Sequence, residues 1–238
     1  MKKATFFTLF LLISIGFFQC SFFADNIEGI KLTWHFDIYD EPSKQVYVTE
    51  GSNQVFFYKD LELYKQENVF IDEFNREHPD FDYWVYDRKK KIGRRYYRRN
   101  PEIGTKFNVD SFLYEYEFEN ARIYNSKEDL LISRRKKPGE RRFTERYLPT
   151  SKKDYTYPDS MFFTFDDELK NIPISFSKEL DSLRQSKIVK WVSVYNPTLD
   201  SKKNLIPARK FMVEINKIED FDRKEILGYF NKFINTIK

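Results

Sequence analysis

The sequence predicts an α+β domain: mainly antiparallel β, arranged as a sheet or sandwich, with a C-terminal amphipathic helix. Aromatic residues make up 18% of the chain and charged residues 33%, a mixture that suits strands with one apolar and one wet face. Several short segments alternate apolar and polar residues between turn-forming clusters, and the last stretch repeats apolar residues at helical spacing. Strand-rich sequence followed by a terminal helix is the α+β pattern.

Residues 30–39 place Leu32, Trp34, Phe36 and Ile38 on one parity and His35 on the other, a strand with one apolar face. Val46 and Val48 lead into Glu50-Gly51-Ser52-Asn53, which reads as a turn, and residues 55–58 resume the apolar run as the second arm of a hairpin, continued by 61–64. Residues 69–74 and 81–86 are two further aromatic segments, with Glu77-His78-Pro79-Asp80 as the turn between them. The cleanest alternation is at 112–118, where Phe112, Tyr114, Tyr116 and Phe118 oppose Glu115 and Glu117, so a strand is expected there. Residues 130–132, 161–165, 172–176, 188–195 and 211–215 are shorter strand candidates. Asp222 with Glu225 forms a capping-box-like start, and Ile226, Tyr229, Phe230, Phe233, Ile234 and Ile237 then recur at helical spacing, a stripe suited to packing on the sheet. Gly228 weakens that helix modestly. With no internal repeat and no proline- or serine-rich linker, residues 20–238 read as one domain.

The first residues carry a different signal. Lys2 and Lys3 precede fifteen uncharged residues, 4–18, ending at Gln19 and Cys20. That run is shorter than the roughly 20 apolar residues of a membrane-spanning helix and has the layout of a signal peptide, residues 1–19. An ordinary cleavage site fits poorly, because Phe22 stands two residues before Ala24. Phe17-Phe18-Gln19-Cys20 resembles the lipobox of bacterial lipoprotein precursors, with Gln19 where Gly, Ala or Ser is usual. The resemblance implies that Cys20, the only cysteine, becomes the mature N-terminus and carries acyl chains on its sulfur and amine. Each buried methylene contributes about 0.8 kcal/mol, so such chains would tether the protein to a membrane, on the periplasmic side or at the outer membrane, with no further apolar segment. With Cys20 consumed the mature domain has no disulfide and rests on its core alone.

The motifs for common chemistries are missing. Glycine is scarce, at seven, and neither phosphate-cradling glycine pattern nor the hydrolase elbow occurs, so no nucleotide cofactor is expected. His35 and His78 are the only histidines and lie in no ligand-spaced cluster, so no metal is expected. His35 beside Trp34 is a candidate proton shuttle. The carboxylate pairs Asp72-Glu73 and Asp166-Asp167 are the material for a carboxylate-based envelope hydrolase, the enzymatic alternative.

The most distinctive feature is basic. Residues 88–99 hold eight Lys or Arg in twelve with no acid, including Arg94, Arg95, Arg98 and Arg99. A second cluster comprises Arg134, Arg135, Lys136, Lys137, Arg141, Arg142 and Arg146, with Lys152 and Lys153 beyond. The arginines at 94, 95, 98, 99, 134, 135, 141 and 142 are candidate anion-binding residues, since the guanidinium fork matches phosphate and carboxylate. Export argues against nucleic acid, which leaves anionic lipid, lipopolysaccharide, acidic glycan or an envelope protein as partners. The charges could instead pair across strands with Glu115, Glu117 and Glu119. Overall charge is uninformative: the formal +4 loses Lys2 and Lys3 on cleavage and becomes +2. The resulting expectation is a non-enzymatic envelope lipoprotein that binds an anionic component or a partner protein. A carbohydrate-binding variant is motivated by Tyr96, Tyr97, Tyr114 and Tyr116, whose rings could stack on sugars.

Overall fold

The computed structural model describes residues 27–116, 124–125, 127–136, 139–150, 155–200 and 202–237. Residues 1–19, Cys20, Glu117, Phe118, Glu119, Lys137, Lys152 and Lys153 lie outside them, as do the side chains of Glu115 and Tyr116. The strands in chain order are β1 (Glu28–Asp40), β2 (Gln45–Tyr58), β3 (Leu61–Ile71), β4 (Glu77–Asp87), β5 (Ile92–Tyr97) and β6 (Asn100–Phe107), followed by helix α1 (Val109–Tyr116). Next come β7 (Asp129–Lys136), β8 (Phe143–Pro149), β9 (Ser160–Asp166), helix α2 (Lys178–Arg184), β10 (Lys187–Tyr195), β11 (Thr198–Leu199), β12 (Leu205–Ile206), β13 (Arg209–Ile218) and helix α3 (Arg223–Thr236). Eleven strands form one antiparallel sheet in the order β6-β5-β4-β3-β2-β1-β13-β10-β9-β8-β7, and β11 and β12 make a separate small hairpin. The predicted class, mainly antiparallel β with a C-terminal helix, is the one observed.

Alternation along the strands builds two cores on opposite faces. Ile30, Leu32, Val55, Tyr64, Tyr86, Phe163, Phe165, Val213 and Ile215 share one core with Val109 and Phe112 of α1 and Leu180 of α2. Phe56, Leu63, Tyr83, Val85 and Tyr96 point to the other face, where Ile226, Phe230 and Phe233 of α3 cover them. Strands buried on both faces account for the aromatic richness. The α3 start forms as predicted, with the Asp222 carboxylate accepting the Glu225 N–H at 2.9 Å. Tyr229 stacks on Tyr83 at 3.9 Å between centroids. A methyl group at position 228 would meet no atom within 4 Å. Gly228→Ala should therefore raise stability by about 0.5–1 kcal/mol, read from the denaturant midpoint.

Four expectations are corrected. Residues 112–116 are not in a strand: helix α1 runs through Val109–Tyr116, and residues 117 and 118 lie outside the described residues. Val109, Phe112 and Leu113 also satisfy helical spacing, and Asn108 settles the choice by capping the Ser111 N–H with its side chain at 3.0 Å. Gly51 is not in a turn, because β2 is continuous; it lies opposite Trp34 on β1, and a Cβ there would come within 2.3 Å of the indole. The β3–β4 turn falls at 72–76, before Glu77-His78-Pro79-Asp80, because the Asp72 carboxylate gathers the N–H groups of Phe74 and Arg76 at 2.9 Å and Asn75 takes a left-handed φ of 61°. Residues 172–176 form no strand: Ile172, Ile174 and Phe176 are buried and pack into the core from an irregular connection.

Candidate functional site

The sheet is not closed along its whole length. β1 and β2 pair from Glu28/Phe57 to Asp40/Gln45, and β3 and β4 from Leu61/Asp87 to Ile71/Glu77, but β2 and β3 pair only from Gln54/Lys65 to Tyr58/Leu61. Beyond Asn53 and Gln66 the two hairpins diverge. Residues 45–53 of β2 and 66–71 of β3 therefore each present a strand edge with no strand neighbour among the described residues. At about 3.3 Å per residue these edges are about 30 and 20 Å long.

Two features set the fork. Asn53, buried, donates to the Tyr64 hydroxyl at 2.5 Å and closes the last joined position. Continued in the same register, the ladder would place Ser52 opposite Glu67 and so bring Glu50 and Glu67 diagonally together on one face, a like-charge arrangement that disfavours closure. The cleft between the hairpins has a volume of about 730 Å³ and is lined by Lys31, Thr33 and His35 of β1, Glu50 and Ser52 of β2, and Gln66 and Glu67 of β3. Towards the open end the side chains turn apolar. Val48 is 59% exposed, Val69 62% and Ile71 54%, and their parity matches that of Glu50 and Glu67.

His35 sits at the floor on the face opposite Trp34, as its parity predicts. Glu50, its partner across the ladder, meets Nδ1 at 2.5 Å, and Asp37, two residues on, meets Nε2 at 2.9 Å. The hydrogen bond that the imidazole donates to the Glu50 carboxylate is the main influence and holds the His35 pKa above that of a free histidine, with Asp37 acting in the same direction against desolvation. A raised pKa means that this stabilisation is complete below about pH 6.5 and disappears as pH rises through the folded-state midpoint. An NMR titration of the imidazole should give a midpoint above that of free histidine, and His35→Gln should remove the matching segment of the stability-versus-pH curve.

The two clusters of predicted anion-binding arginines lie on or beside strands that are not neighbours in the sheet. β5 stands next to one end of the strand order and β7 forms the other end, with eight strands between them. Arg94 donates to the Ile103 and Gly104 carbonyls, Arg95 pairs with Asp82 beneath the Trp84 ring system, and Arg98 lies 3.5 Å over the Phe70 ring. Arg134 and Arg142 pair with Glu145 and Asp166 at 2.6 Å, and Arg141 with Glu168 at 3.4 Å. Arg99 and Arg135 are exposed. The pairing partners are thus buried or neighbouring acids; Glu115 lies on α1, not on an adjacent strand.

Of the carboxylate pairs, Asp72 is taken up by the β3–β4 turn, with the hydrogen bond from His78 first among the causes that lower its pKa. Asp166 accepts from Arg142 and from the Glu168 N–H. Of the tyrosines, Tyr96 is fully buried, contrary to the expected stacking face, whereas Tyr114 on α1 is 72% exposed. The cleft itself was missed, although the clustered apolar residues at 46–48 and 69–74 were its signal. No protein-family profile and no curated protein matches the chain.

Proposed function

We propose that this protein is an exported envelope lipoprotein, tethered through acyl chains on Cys20, whose domain binds an extended segment of a partner protein by adding it as a strand in the β2–β3 cleft. The observation that carries the reading is the pair of strand edges, unpartnered among the described residues, that face one cleft. Main-chain N–H and C=O groups on such edges supply affinity for any extended chain, and neighbouring side chains supply selectivity. Selectivity here favours a segment of alternating pattern. A Lys or Arg would sit between Glu50 and Glu67, and apolar residues of the same parity would lie beside Val48, Val69 and Ile71.

The position of the cleft supports the same reading. β1 starts eight residues after Cys20, so the tether reaches its beginning within about 28 Å, whereas the cleft mouth lies near the far end of a strand about 40 Å long. A membrane-held domain of this shape can present the mouth away from its anchor.

A synthetic probe, acetyl-Thr-Lys-Thr-Val-Thr-Val-Thr-amide, tests the recognition. Isothermal titration should show the Lys probe binding about tenfold tighter than a Glu-for-Lys version, a difference of about 1.4 kcal/mol. Glu67→Lys should erase that preference, since Glu67 is exposed and its replacement spares the His35 contacts. Equal affinity of both probes for the unaltered protein would overturn the selectivity, and no binding of either would overturn the site. The tether is tested separately by mass spectrometry of the cell-derived N-terminal peptide, which should begin at Cys20 and carry acyl mass. A chain that retains Met1, or one that begins near Asp25 unmodified, would contradict it.

A further inference from the structure

We infer that a second cavity, at the end of the sheet where β10 finishes and β13 begins, is a binding site for a hydroxyl- or amine-bearing saccharide ring. It has a volume of about 310 Å³, at the small end of the range for ligand pockets. Trp191, Tyr195, Phe211 and Tyr157 contribute aromatic walls, and Met161 adds to the floor. This site is distinct from the cleft. Phe211 and Met212 are adjacent on β13 and point to opposite faces, the first lining this cavity and the second the cleft.

The rings are held by contacts that do not need a ligand. The Trp191 indole N–H donates to Ser193 Oγ at 2.8 Å, which fixes the ring and satisfies its polar edge within the protein. Tyr195 and Phe211 pack at 5.2 Å between centroids, and Phe211 meets Phe36 at 5.4 Å. A preset aromatic wall costs little ordering on binding and offers apolar faces to the C–H side of a pyranose.

The polar rim decides the ligand's class. Asn125, Glu128 and Asp129 line it, and no Lys or Arg does so among the described lining residues. The Asp129 carboxylate accepts the Asn125 N–H at 2.6 Å, which ties these two lining residues to each other. Carboxylates are acceptors only when ionised, so this rim matches a ligand rich in O–H or N–H donors and opposes an anionic one. Aromatic walls with acceptor-only charge at the rim are met together by a neutral or amino sugar.

Three probes that share one ring separate the possibilities: glucosamine, glucose and glucuronate. Saturation-transfer NMR with the folded domain should detect glucosamine and glucose at millimolar concentration, glucosamine the tighter, with glucuronate at least tenfold weaker. Trp191→Ala should weaken glucosamine binding at least tenfold, and Trp191→Phe should restore most of it and so exclude simple loss of the fold. Asp129→Asn should reduce the preference for glucosamine over glucose. Binding of glucuronate as tight as that of glucosamine, or glucosamine binding unchanged in Trp191→Ala, would overturn the assignment, as would the failure of all three probes to bind.

Discussion

Phe230→Ala should destabilise the domain by about 3–5 kcal/mol, a large share of the roughly 5–15 kcal/mol that holds a typical domain together. The ring is fully buried, packs 5.4 Å from Tyr58, and shares its core with Phe56, Leu63, Val85 and Phe233. Truncation removes the transfer free energy of the ring and leaves a cavity beneath a helix of only 14 residues, which is tied to the sheet mainly by that apolar stripe. A drop of roughly 6–20 °C in Tm should follow for a domain of this size. Ile237→Ala, at a position 39% exposed, should change little and serves as the control. Equal denaturant midpoints for Phe230→Ala and the unaltered protein would show that α3 does not close the second core.

Glu145→Gln should cost a comparable amount for an electrostatic reason. The Glu145 carboxylate is wholly buried on β8 and accepts from Arg134, from Arg184 at 2.9 Å and from the Tyr147 hydroxyl at 2.6 Å. Burial, then the hydrogen bond to Glu145, pushes the Tyr147 phenol well above its usual range, so it remains a donor across the physiological pH range. Removing one partner of a buried ion pair typically costs about 3–5 kcal/mol, because the opposite charge is left without compensation. Here the lower end applies to Arg134, which is 48% exposed and can turn to water, and the higher end to Arg184, which is 17% exposed and cannot. The triple replacement Arg134→Met, Glu145→Leu, Arg184→Met should recover most of the loss. Urea unfolding of both proteins checks this, and a triple variant no more stable than Glu145→Gln would contradict it.

These residues also mark how far the sequence can be read. The terminal helix was legible because every signal for it is local: Asp222 and Glu225 three residues apart, then apolar residues at 226, 230 and 233. The parity of β1, including the placement of His35 opposite Trp34, was legible for the same reason. Two periods coexist around Phe112, and the aromatic alternation outweighed an asparagine cap that only a structure shows engaged. Gly51, flanked by Glu50 and Ser52, has the composition of a turn. Its real role depends on Trp34 across the ladder, seventeen residues earlier. The arginines were visible, but their partners Asp82, Glu145 and Asp166 are set by strand register, which composition does not encode. The cleft is the extreme case, since it exists because β2 and β3 part after Asn53, a property of the pair and of neither strand alone.

The most direct test of the strand-addition reading is amide hydrogen exchange of the folded domain with and without the Lys-containing probe at saturating concentration. Added as a strand, the probe should slow exchange within residues 45–53 of β2 and 66–71 of β3, where the edges are unpartnered, and leave the paired stretch at 54–58 and the outer strand β7 unchanged. Protection confined to β7, or no protection at either inner edge under saturating probe, would contradict it.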